Sequence, residues 1–410
     1  MGKNTVAIIG GGASGLVAGI VSARGGAKVT IIERMDRLGK KILATGNGRC
    51  NLTNTVLSVD HFNGENPKFS MPVLSAFDVE KTIEFFNGLG IYPRVENGYV
   101  YPYSNQASSV LDVLRQEIEQ LKINVVYEEE VKEIEKKKNQ FIIHTNGNKY
   151  YTNKVILCAG GNSTPNLGSN GSGFDLAKKL GHRIVSPYPA LVQIKASENY
   201  LKRIKGVRVI AKLHLYIDDT LKREEVGEVL FTDYGLSGIP ILQISRYIGE
   251  AINNGKKIKV LLDLIPELET EALDKILVER FTNMPYKSIE DNLIGLLNKK
   301  LIPIITHLSD IKDNQPVSQI SKSQRHKLIE SIKNLTFNIT GTNDWNQSQV
   351  TVGGVATDEV DPNTLESKIH PNLYFAGEIL DIDGDCGGYN LQWAWSSGYI
   401  AGKTIVKKTN

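Results

Sequence analysis

The chain has 410 residues, of which 41% are hydrophobic and 23% are charged, and its formal net charge is +3. That length predicts more than one domain, each with a substantial core. A net charge so close to zero argues against a nucleic-acid partner. Cys50, Cys158 and Cys386 lie far apart and form no CxxC pair, which argues against a disulfide framework, a zinc site and a dithiol redox centre. We therefore expect no metal and a reducing compartment, most simply the cytoplasm.

The sequence gives no indication of a membrane segment. None of its apolar runs reaches the roughly 18 residues that a membrane-spanning helix needs. The apolar N-terminus is interrupted by glycines and continues into a predicted helix that contains Arg24. It is therefore typical of the first strand and helix of a domain rather than of a signal peptide.

The first motif is a glycine turn between two apolar runs. Residues 6–9 (VAII) lead into residues 10–15 (GGGASG), and the second run, residues 28–32, ends at Glu33. This order predicts a strand, a turn, a helix and a strand that ends in a carboxylate. In such a unit Gly10 permits the sharp turn, Gly12 lets a pyrophosphate approach the backbone, and Gly15 lets the helix pack on its strand. Glu33 would accept hydrogen bonds from the adenosine ribose. The motif predicts an adenine dinucleotide, either NAD(P) or FAD.

The next predicted elements continue an α/β pattern up to about residue 190. A loop rich in glycine, asparagine and lysine spans residues 34–54. A short buried strand runs into Ala159 and Gly160, and a second glycine loop follows at residues 168–173. Apolar periodicity predicts helices and strands in between. The predicted helices cover residues 78–89, 108–121 and 174–180, and the predicted strands cover residues 124–126, 131–134, 140–144 and 155–158.

The pattern changes in the middle of the chain and changes back near its end. Residues 191–265 alternate in the manner of strands, residues 266–334 show helical spacing, and residues 335–350 return to strand. The predicted helices there are 267–281, 287–300 and 323–333. We therefore predict a dinucleotide domain in two parts, residues 1–190 and 351–410. A β-rich substrate domain (191–265 and 335–350) and a small helical domain (266–334) are inserted between the parts.

The C-terminal motif favours FAD over NAD(P). A predicted strand at residues 373–376 runs into Gly377 and Glu378, and Gly387 and Gly388 precede a final predicted helix, residues 391–403. Glu378 suits the hydroxyls of a ribityl chain. Backbone N–H groups at the start of the final helix would stabilise negative charge on a reduced flavin ring. An NAD site has no need of such a segment.

The chain resembles the BaiN/aminoacetone-oxidase family of three-domain bacterial FAD-dependent oxidoreductases. The segments that carry the resemblance are residues 45–54 (TGNGRCNLTN), 227–238 (GEVLFTDYGLSG), 351–355 (TVGGV) and 387–392 (GGYNLQ). The resemblance implies an α/β fold with a discontinuous Rossmann-like FAD domain, an inserted β-barrel-like domain and a small helical domain. It also implies that Val131 presents its backbone to the adenine. The full predicted FAD-binding set is Gly10, Gly12, Ser14, Gly15, Glu33, Arg34, Lys41, Gly46, Asn47, Val131, Ala159, Gly160, Gly377, Glu378, Asn390, Leu391 and Gln392.

The catalytic residues are less well defined by the sequence. Arg49 is a candidate contact for a substrate anion or the ring, and Tyr234 and Tyr389 are candidate hydrogen-bond donors or acids, although aromatic packing is the alternative for both. The histidines are scattered, and each one alone is more often structural than catalytic. Cys50 and Cys386 fall in loops expected near the flavin, where packing is the simpler interpretation.

These observations predict an FAD-dependent oxidoreductase with a non-covalently bound flavin and a small organic substrate. A second glycine motif followed by an acid is missing from the sequence, so NAD(P)H would bind only transiently, as a reductant. The alternative is an oxygen-using amine oxidase of the aminoketone type. An RNA-modifying flavoprotein is a second alternative. The sequence does not choose between reductase and oxidase, and it carries no signal for an oligomeric state.

Overall fold

The computed structural model describes residues 5–138 and 140–407. The chain divides into two compact units, one formed by residues 1–189 and 348–410 and the other by residues 190–347. The division into a β-rich and a separate helical domain stays a prediction, because both segments lie in the second unit.

The first part of the discontinuous unit alternates strands and helices. Its strands are β1 (Thr5–Ile9), β2 (Lys28–Ile32), β3 (Thr53–Asn54), β4 (Phe62–Asn63), β5 (Pro93–Glu96), β6 (Tyr99–Pro102), β7 (Asn124–Val126), β8 (Val131–Lys137), β9 (Gln140–Thr145), β10 (Lys149–Thr152), β11 (Lys154–Leu157) and β12 (Ile184–Ala190). Its helices are α1 (Ala13–Arg24), α2 (Ser70–Ala76), α3 (Val79–Gly88), α4 (Ala107–Gln120) and α5 (Ser172–Lys179).

The second unit and the C-terminal part of the first complete the chain. The second unit contains the strands β13 (Ile194–Ala196), β14 (Arg208–Ile217), β15 (Thr220–Phe231), β16 (Gly235–Ser237), β17 (Ile258–Asp263) and β18 (Leu335–Thr342). Its helices are α6 (Leu201–Ile204), α7 (Ile239–Ser245), α8 (Ile248–Asn253), α9 (Thr270–Asn283), α10 (Ile289–Leu293), α11 (Ile302–Leu308) and α12 (Lys322–Lys333). The chain then returns with β19 (Val350–Val355), β20 (Leu373–Phe375), β21 (Asp383–Gly384) and α13 (Tyr389–Lys407).

A parallel sheet of order β20–β11–β1–β2–β7 is the centre of the first unit. Ile8 on β1 pairs with Ile31 on one side and Ile156 on the other, and all three are fully buried. Parallel strands covered on both faces need such continuous apolar runs. The outer strand β20 comes from the C-terminal part of the chain, so the sheet is complete only when both parts of the unit meet.

Helix α13 packs against α1 through small residues. A side chain at Gly398 would collide with the backbone of Ser14, and a Cβ at Gly402 would lie 2.8 Å from the carbonyl oxygen of Ala18. Glycine at both positions lets the two helix backbones approach closely. This contact fixes the start of α13 relative to the glycine turn that opens α1.

The second unit is built around a closed barrel of order β13–β16–β15–β14–β17–β18. Its long hairpin turns at Asp218 and Asp219, which both have positive φ angles (48° and 61°), as a tight hairpin turn requires. The fold class predicted from the sequence, a discontinuous Rossmann-type domain with an inserted barrel and a helical segment, is confirmed.

One predicted helix is wrong. The periodicity predicted a helix over residues 287–300, but α10 ends at Leu293 and a new helix, α11, begins at Ile302. Gly295 adopts a left-handed conformation (φ 84°), which breaks the helix. Leu293 and Leu301 are both fully buried, so the apolar spacing reflects two short elements that pack into one core.

Among the residues that the structure describes, no helix combines the length and the apolar character needed to cross a membrane.

A buried histidine makes the stability of the first unit pH-dependent. The side chain of His182 is fully buried, its Nδ1 lies 3.0 Å from Glu359 Oε2, and its Nε2 lies 3.0 Å from Ser367 Oγ. Burial lowers the pKa of His182, and the charge of Glu359 opposes this effect only partly. Because the folded state binds this proton less readily than the unfolded state, stability is complete above the unfolded pKa of about 6.5 and falls as pH decreases below it.

We expect the free energy of unfolding to fall by at most about 1.4 kcal/mol per pH unit from this group below pH 6.5. His182→Gln should flatten that dependence while it lowers stability at pH 8 by about 1–3 kcal/mol. Urea unfolding between pH 8 and pH 5.5 measures both effects. His307→Gln, at an exposed histidine, is the control and should keep the wild-type slope. An unchanged slope in His182→Gln would contradict the assignment.

Candidate functional site

The glycine turn before α1 combines two packed glycines with one open position. Gly10 has φ 100°, and a Cβ there would lie 2.6 Å from the carbonyl oxygen of Cys158. A Cβ at Gly15 would collide with the carbonyl oxygen of Gly10. In contrast, a Cβ at Gly12 would meet nothing within 4 Å. Gly10 and Gly15 therefore serve the packing of the turn, whereas Gly12 borders open space.

Helix α1 offers unpaired donors toward that space. Gly12 is its N-cap residue, with φ −79°, and no side chain caps the first turn. The first N–H groups of a helix have no partner within the helix, and the helix dipole makes this end positive. Together with the open position at Gly12, this is the arrangement that binds phosphate.

Glu33 lies at the end of β2, within reach of the glycine turn. Its Oε2 accepts a hydrogen bond from the Gly11 N–H (2.7 Å), and its Oε1 accepts one from the Met35 N–H (2.8 Å). Burial raises the pKa of Glu33, and the hydrogen bonds from the two backbone N–H groups act in the opposite direction. The carboxylate is thus held in one orientation, and each oxygen retains a lone pair for a hydroxyl donor.

The segment beside Glu33 leaves a buried donor unsatisfied. Within the described chain, Nη1 of Arg34 is buried and has no hydrogen-bond partner. The Glu129 N–H donates to the carbonyl oxygen of Glu33 (3.0 Å), which brings the start of β8 and Val131 into this neighbourhood. A buried polar atom without a partner needs an explanation, and a bound ligand is one. The residues predicted for the adenosine end are therefore brought together.

Glu378 connects segments from both parts of the unit. Its Oε2 accepts from Lys41 Nζ (2.8 Å) and from the Gly161 N–H (3.4 Å). Its Oε1 accepts from the Ser163 hydroxyl (3.0 Å) and from the Thr351 N–H (2.8 Å). A carboxylate accepts about four hydrogen bonds, so protein donors fill this one.

The oxygens of Glu378 hold Lys41 and the loop after Gly160 in place. The predicted contact of this side chain with ribityl hydroxyls stays a prediction. Gly377 is engaged as well, because its N–H donates to Ser397 Oγ (2.8 Å) and its carbonyl oxygen accepts from Trp393 Nε1 (3.1 Å). A Cβ at Gly377 would also collide with the Ser14 side chain. These residues form the structural support of the candidate site.

The loop of residues 45–54 has an unusual backbone. Gly46, Asn47 and Gly48 all have positive φ angles (55°, 54° and 83°). A Cβ at Gly46 would lie 2.9 Å from the backbone nitrogen of Asn51. Such a run of left-handed residues exposes backbone N–H groups on one side, as in anion-binding nests. The predicted contact of Gly46 and Asn47 with the cofactor stays a prediction.

The start of α13 is shaped by its own side chains. Gly387 and Gly388 have φ angles of 126° and 97°. Asn390 Oδ1 accepts from the Gly384 N–H (2.8 Å), and its Nδ2 donates to the Gly384 carbonyl oxygen (2.7 Å). Gln392 is fully buried and bonds to Thr53 Oγ1 (2.5 Å) and the carbonyl oxygen of Phe77 (3.1 Å). The polar atoms of both side chains thus fix the loop, and only backbone groups remain for a ligand.

The catalytic candidates differ in their surroundings. The guanidinium of Arg49 lies over the ring of Tyr101 (4.4 Å) and 3.8 Å from Glu96, so the structure gives it partners on the β5–β6 hairpin. The hydroxyl of Tyr234, in the second unit, accepts from Asn343 Nδ2 (3.1 Å). Tyr389 is buried at the first position of α13. Their predicted catalytic roles stay predictions.

Cys50 and Cys158 are buried thiols. Burial raises the pKa of Cys50 to about 12, and it does the same for Cys158. A thiol with such a pKa stays protonated and inert.

A cavity of about 300 Å³ lies beside the loop that follows Glu33. Its lining combines two cationic side chains with apolar and amide groups, namely Arg37, Lys40, Leu43, Ala44, Asn166 and Leu167. Lys40 is also paired with Asp36 (2.5 Å). The cavity lining thus contains the guanidinium of Arg37, and the charge of Lys40 is paired.

The sequence did not indicate several residues of this site. Ser163, in the loop after β11, and Thr351, on β19, both reach Glu378, and neither contact was indicated by the sequence. His61 lies 3.3 Å from the buried Asp385 although the two are far apart in the chain. Both pairings depend on tertiary contacts, and no local spacing could have revealed them.

These residues fit the adenosine diphosphate half of FAD. An open position at Gly12, an uncapped helix N-terminus, an oriented carboxylate at Glu33 and an unsatisfied donor at Arg34 match a pyrophosphate followed by a ribose and an adenine. The fold and the site define a Rossmann-type flavoprotein.

Comparisons with known proteins agree with this class. The family model described as the HI0933-like protein Rossmann domain matches residues 4–404, so the chain belongs to the HI0933-like family. A protein of Clostridium scindens named 3-dehydro-bile acid delta(4,6)-reductase is 42% identical over 407 residues, which cover 99% of this chain and 100% of the relative. A ribosomal RNA dihydrouridine synthase of Haemophilus influenzae is 29% identical and covers 98% of both chains.

A solved structure supports the fold alone. The 3-ketosteroid delta1-dehydrogenase of Sterolibacterium denitrificans aligns over 99% of this chain and 100% of its own, with a TM-score of 0.51 and 12% identity. The family expected from the sequence is confirmed, and the protein is an FAD-dependent oxidoreductase.

Gly12→Val should abolish flavin retention and leave the fold intact. The side chain would enter the space proposed for the pyrophosphate, and neither a steric contact within 4 Å nor a positive φ opposes it in the protein itself. We expect at least a hundredfold weaker FAD binding, measured by absorbance of the purified protein and by reconstitution titration.

The matched control is Gly341→Val on β18, where a Cβ also meets nothing within 4 Å. This variant should retain flavin as the wild type does. Normal flavin content in Gly12→Val, with circular dichroism unchanged, would contradict the proposed position of the pyrophosphate.

Proposed function

We propose that this protein is an FAD-dependent reductase that saturates a carbon–carbon double bond conjugated to a carbonyl group in a small organic molecule. The observation that carries the proposal is a chain of contacts. Glu33 is hydrogen-bonded to the glycine turn, Ser14 of that turn to Ala376, Glu378 to Lys41, and Trp393 of α13 to Gly377. This chain of contacts joins a dinucleotide socket to a C-terminal segment, as a cofactor longer than adenosine diphosphate requires.

The names of two relatives support this substrate class. One is a delta(4,6)-reductase of a 3-dehydro bile acid, in which the double bonds are conjugated to a ketone. The other makes dihydrouridine, which is uridine with the double bond next to its carbonyl reduced. The two substrates differ in size and chemistry, yet the bond that is reduced is of the same kind.

The residues of the site have defined tasks in this proposal. Glu33 accepts hydrogen bonds from the ribose hydroxyls, and the first N–H groups of α1 hold the diphosphate. Lys41 and Glu378 keep the loop after Gly160 in position. Backbone N–H groups at the start of α13 favour negative charge on a ring placed there. When bound, the flavin supplies the hydride chemistry.

The electrons come from a transiently bound NAD(P)H in this proposal. Support comes from the sequence, in which residues 10–15 and Glu33 are not repeated as a second dinucleotide motif. The cavity lined by Arg37 and Lys40 offers positive charge for the phosphates of a transiently bound NAD(P)H.

A ribosomal RNA substrate is the second candidate, because the Haemophilus influenzae relative carries that name and covers 98% of this chain. The net charge of +3 counts against it. Retention on immobilised rRNA that falls steeply between 50 and 200 mM salt would favour it. A bound flavin that is reoxidised by a uridine-containing rRNA fragment, and not by a small ketone, would replace the first candidate.

Anaerobic stopped-flow absorbance tests the proposal. NADH or NADPH should bleach the flavin, and the 3-dehydro-Δ4,6 bile acid or cyclohexenone should then restore its colour. Restoration should be at least tenfold faster than reduction of the oxidised enzyme by any member of a panel of small amines. Bleaching by an amine followed by rapid reoxidation with oxygen would identify an oxidase and refute the reductase.

A further inference from the structure

A histidine–carboxylate pair lies beside the start of α13. Strands β4 and β21 pair so that Phe62 faces Gly384, and the Asp385 N–H donates to the carbonyl oxygen of His61 (3.0 Å). The same two residues also meet through their side chains, with His61 Nδ1 3.3 Å from Asp385 Oδ2. Backbone and side-chain contacts therefore fix the imidazole together.

The two partners differ in exposure. The side chain of Asp385 is 5% exposed, whereas that of His61 is 32% exposed. The carboxylate thus holds the imidazole from the protein side, and the ring reaches solvent. Because Nδ1 faces Asp385, Nε2 is the nitrogen that can exchange a proton with a ligand or with water.

The imidazole is stacked on the first residue of α13. The rings of His61 and Tyr389 are 4.3 Å apart with an interplanar angle of 17°, and Phe62 contacts Tyr389 edge-on at 5.9 Å. Gly387 is part of the same cluster, since a Cβ there would lie 2.9 Å from the Tyr99 ring and 3.3 Å from the Tyr389 ring. His61 therefore stands next to the glycines whose backbone is proposed to meet the flavin ring.

We propose that His61 Nε2 donates the proton in the reduction of the conjugated double bond, and that Asp385 is the residue that positions it. This inference rests on the proposed function. The alkene carbon next to the carbonyl takes the proton from Nε2, and the other alkene carbon takes a hydride from the reduced flavin. A flavin bound at this site would supply the hydride, and a reduced nicotinamide nucleotide would restore it, while His61 regains its proton from water.

Neighbouring groups are less suited to this task. Burial, with smaller effects of Asp385 and Tyr99, raises the pKa of Tyr389 to about 12, and so weak an acid is a poor proton donor near neutral pH. Cys50 is fully buried. Arg49 is held by Tyr101 and Glu96. Tyr389 instead supplies the flat surface that fixes the plane of the imidazole.

His182 shows what a structural histidine looks like in this protein. Both of its ring nitrogens meet side chains, Glu359 on one side and Ser367 on the other, and its side chain is fully buried. His61 has the carboxylate on one side only and is a third exposed. The arrangement of His61 is that of a proton-transfer group held by an orienting carboxylate.

Separate half-reactions test the role of His61. In His61→Gln, we expect flavin content and the rate of bleaching by NAD(P)H to stay within twofold of the wild type. Reoxidation by the 3-dehydro-Δ4,6 bile acid should slow by at least about a hundredfold, the usual range for loss of a general acid. Reoxidation by ferricyanide should not change, because this acceptor takes up electrons and no carbon atom is protonated. Asp385→Asn should slow only the bile-acid step, by about tenfold or more.

The matched control is His144→Gln. His144 is 25% exposed and lies 3.5 Å from Glu135, so it resembles the pair but belongs to the β8–β9 hairpin. It should behave as the wild type in every step. Equal slowing of the bile-acid and ferricyanide steps in His61→Gln, or no slowing of either, would overturn the proposal.

An NMR experiment locates His61 without turnover. In protein labelled with ¹⁵N-histidine, the ring signals that disappear in His61→Gln should shift when the apoprotein binds FAD, and those of His144 should not. Unmoved His61 signals would overturn the assignment to the cofactor. If the wild-type flavin is not reoxidised by either enone, the proposed function fails by itself, and the NMR titration still decides whether His61 lies at the flavin.

Discussion

The candidate site depends on the carboxylate of Glu378. This residue follows the last strand of the central sheet, yet its partners Lys41 and Ser163 come from the N-terminal part of the chain. The side chains of Lys41 and Glu378 are only 26% and 20% exposed, so loss of either one would leave a poorly solvated charge. The parallel β20–β11 pairing and the contact of α13 with α1 bring Glu378 to this position. These contacts all lie within the first unit. The N-terminal and C-terminal parts of that unit can therefore build one site although the second unit is inserted between them in the sequence.

The glycines divide between those that serve the protein and those that serve a ligand. Gly10, Gly15 and Gly377 are required because a Cβ at each would meet protein atoms. Gly12 is different, since its missing side chain leaves space and no protein atom uses it. The same distinction separates Glu378, whose oxygens are filled by protein donors, from Glu33, which keeps acceptor capacity. Residues of the same type in the predicted FAD-binding set therefore have different tasks, and their contacts in the structure distinguish them.

Local chemistry explains how much the sequence could predict. The glycine turn and Glu33 lie within one strand–turn–helix–strand unit, so their spacing predicts the dinucleotide-binding part of the fold. The inserted barrel and helical segment were predicted from the change of pattern along the chain and from the family resemblance. The helix predicted over residues 287–300 failed because Gly295 interrupts a periodicity that two short elements share. The tasks of Gln392 and Glu378 could not be predicted, since their partners, such as Thr53 and Thr351, are distant in sequence. The same holds for the pairing of His61 with Asp385.

The position of His61 links the two kinds of chemistry that the proposed reaction needs. A flavin would supply the hydride, but the proton that is added to the other alkene carbon must come from a group that the protein positions. The glycine turn supplies no suitable acid, because its groups are backbone N–H donors and the Ser14 hydroxyl, which donates to the carbonyl oxygen of Ala376. The β4–β21 pairing brings His61 to the opposite end of the site, next to the start of α13. In the proposed reaction, the C-terminal segment that is predicted to contact the flavin ring also positions the acid, because Asp385 and Tyr389, the neighbours of His61, belong to that segment.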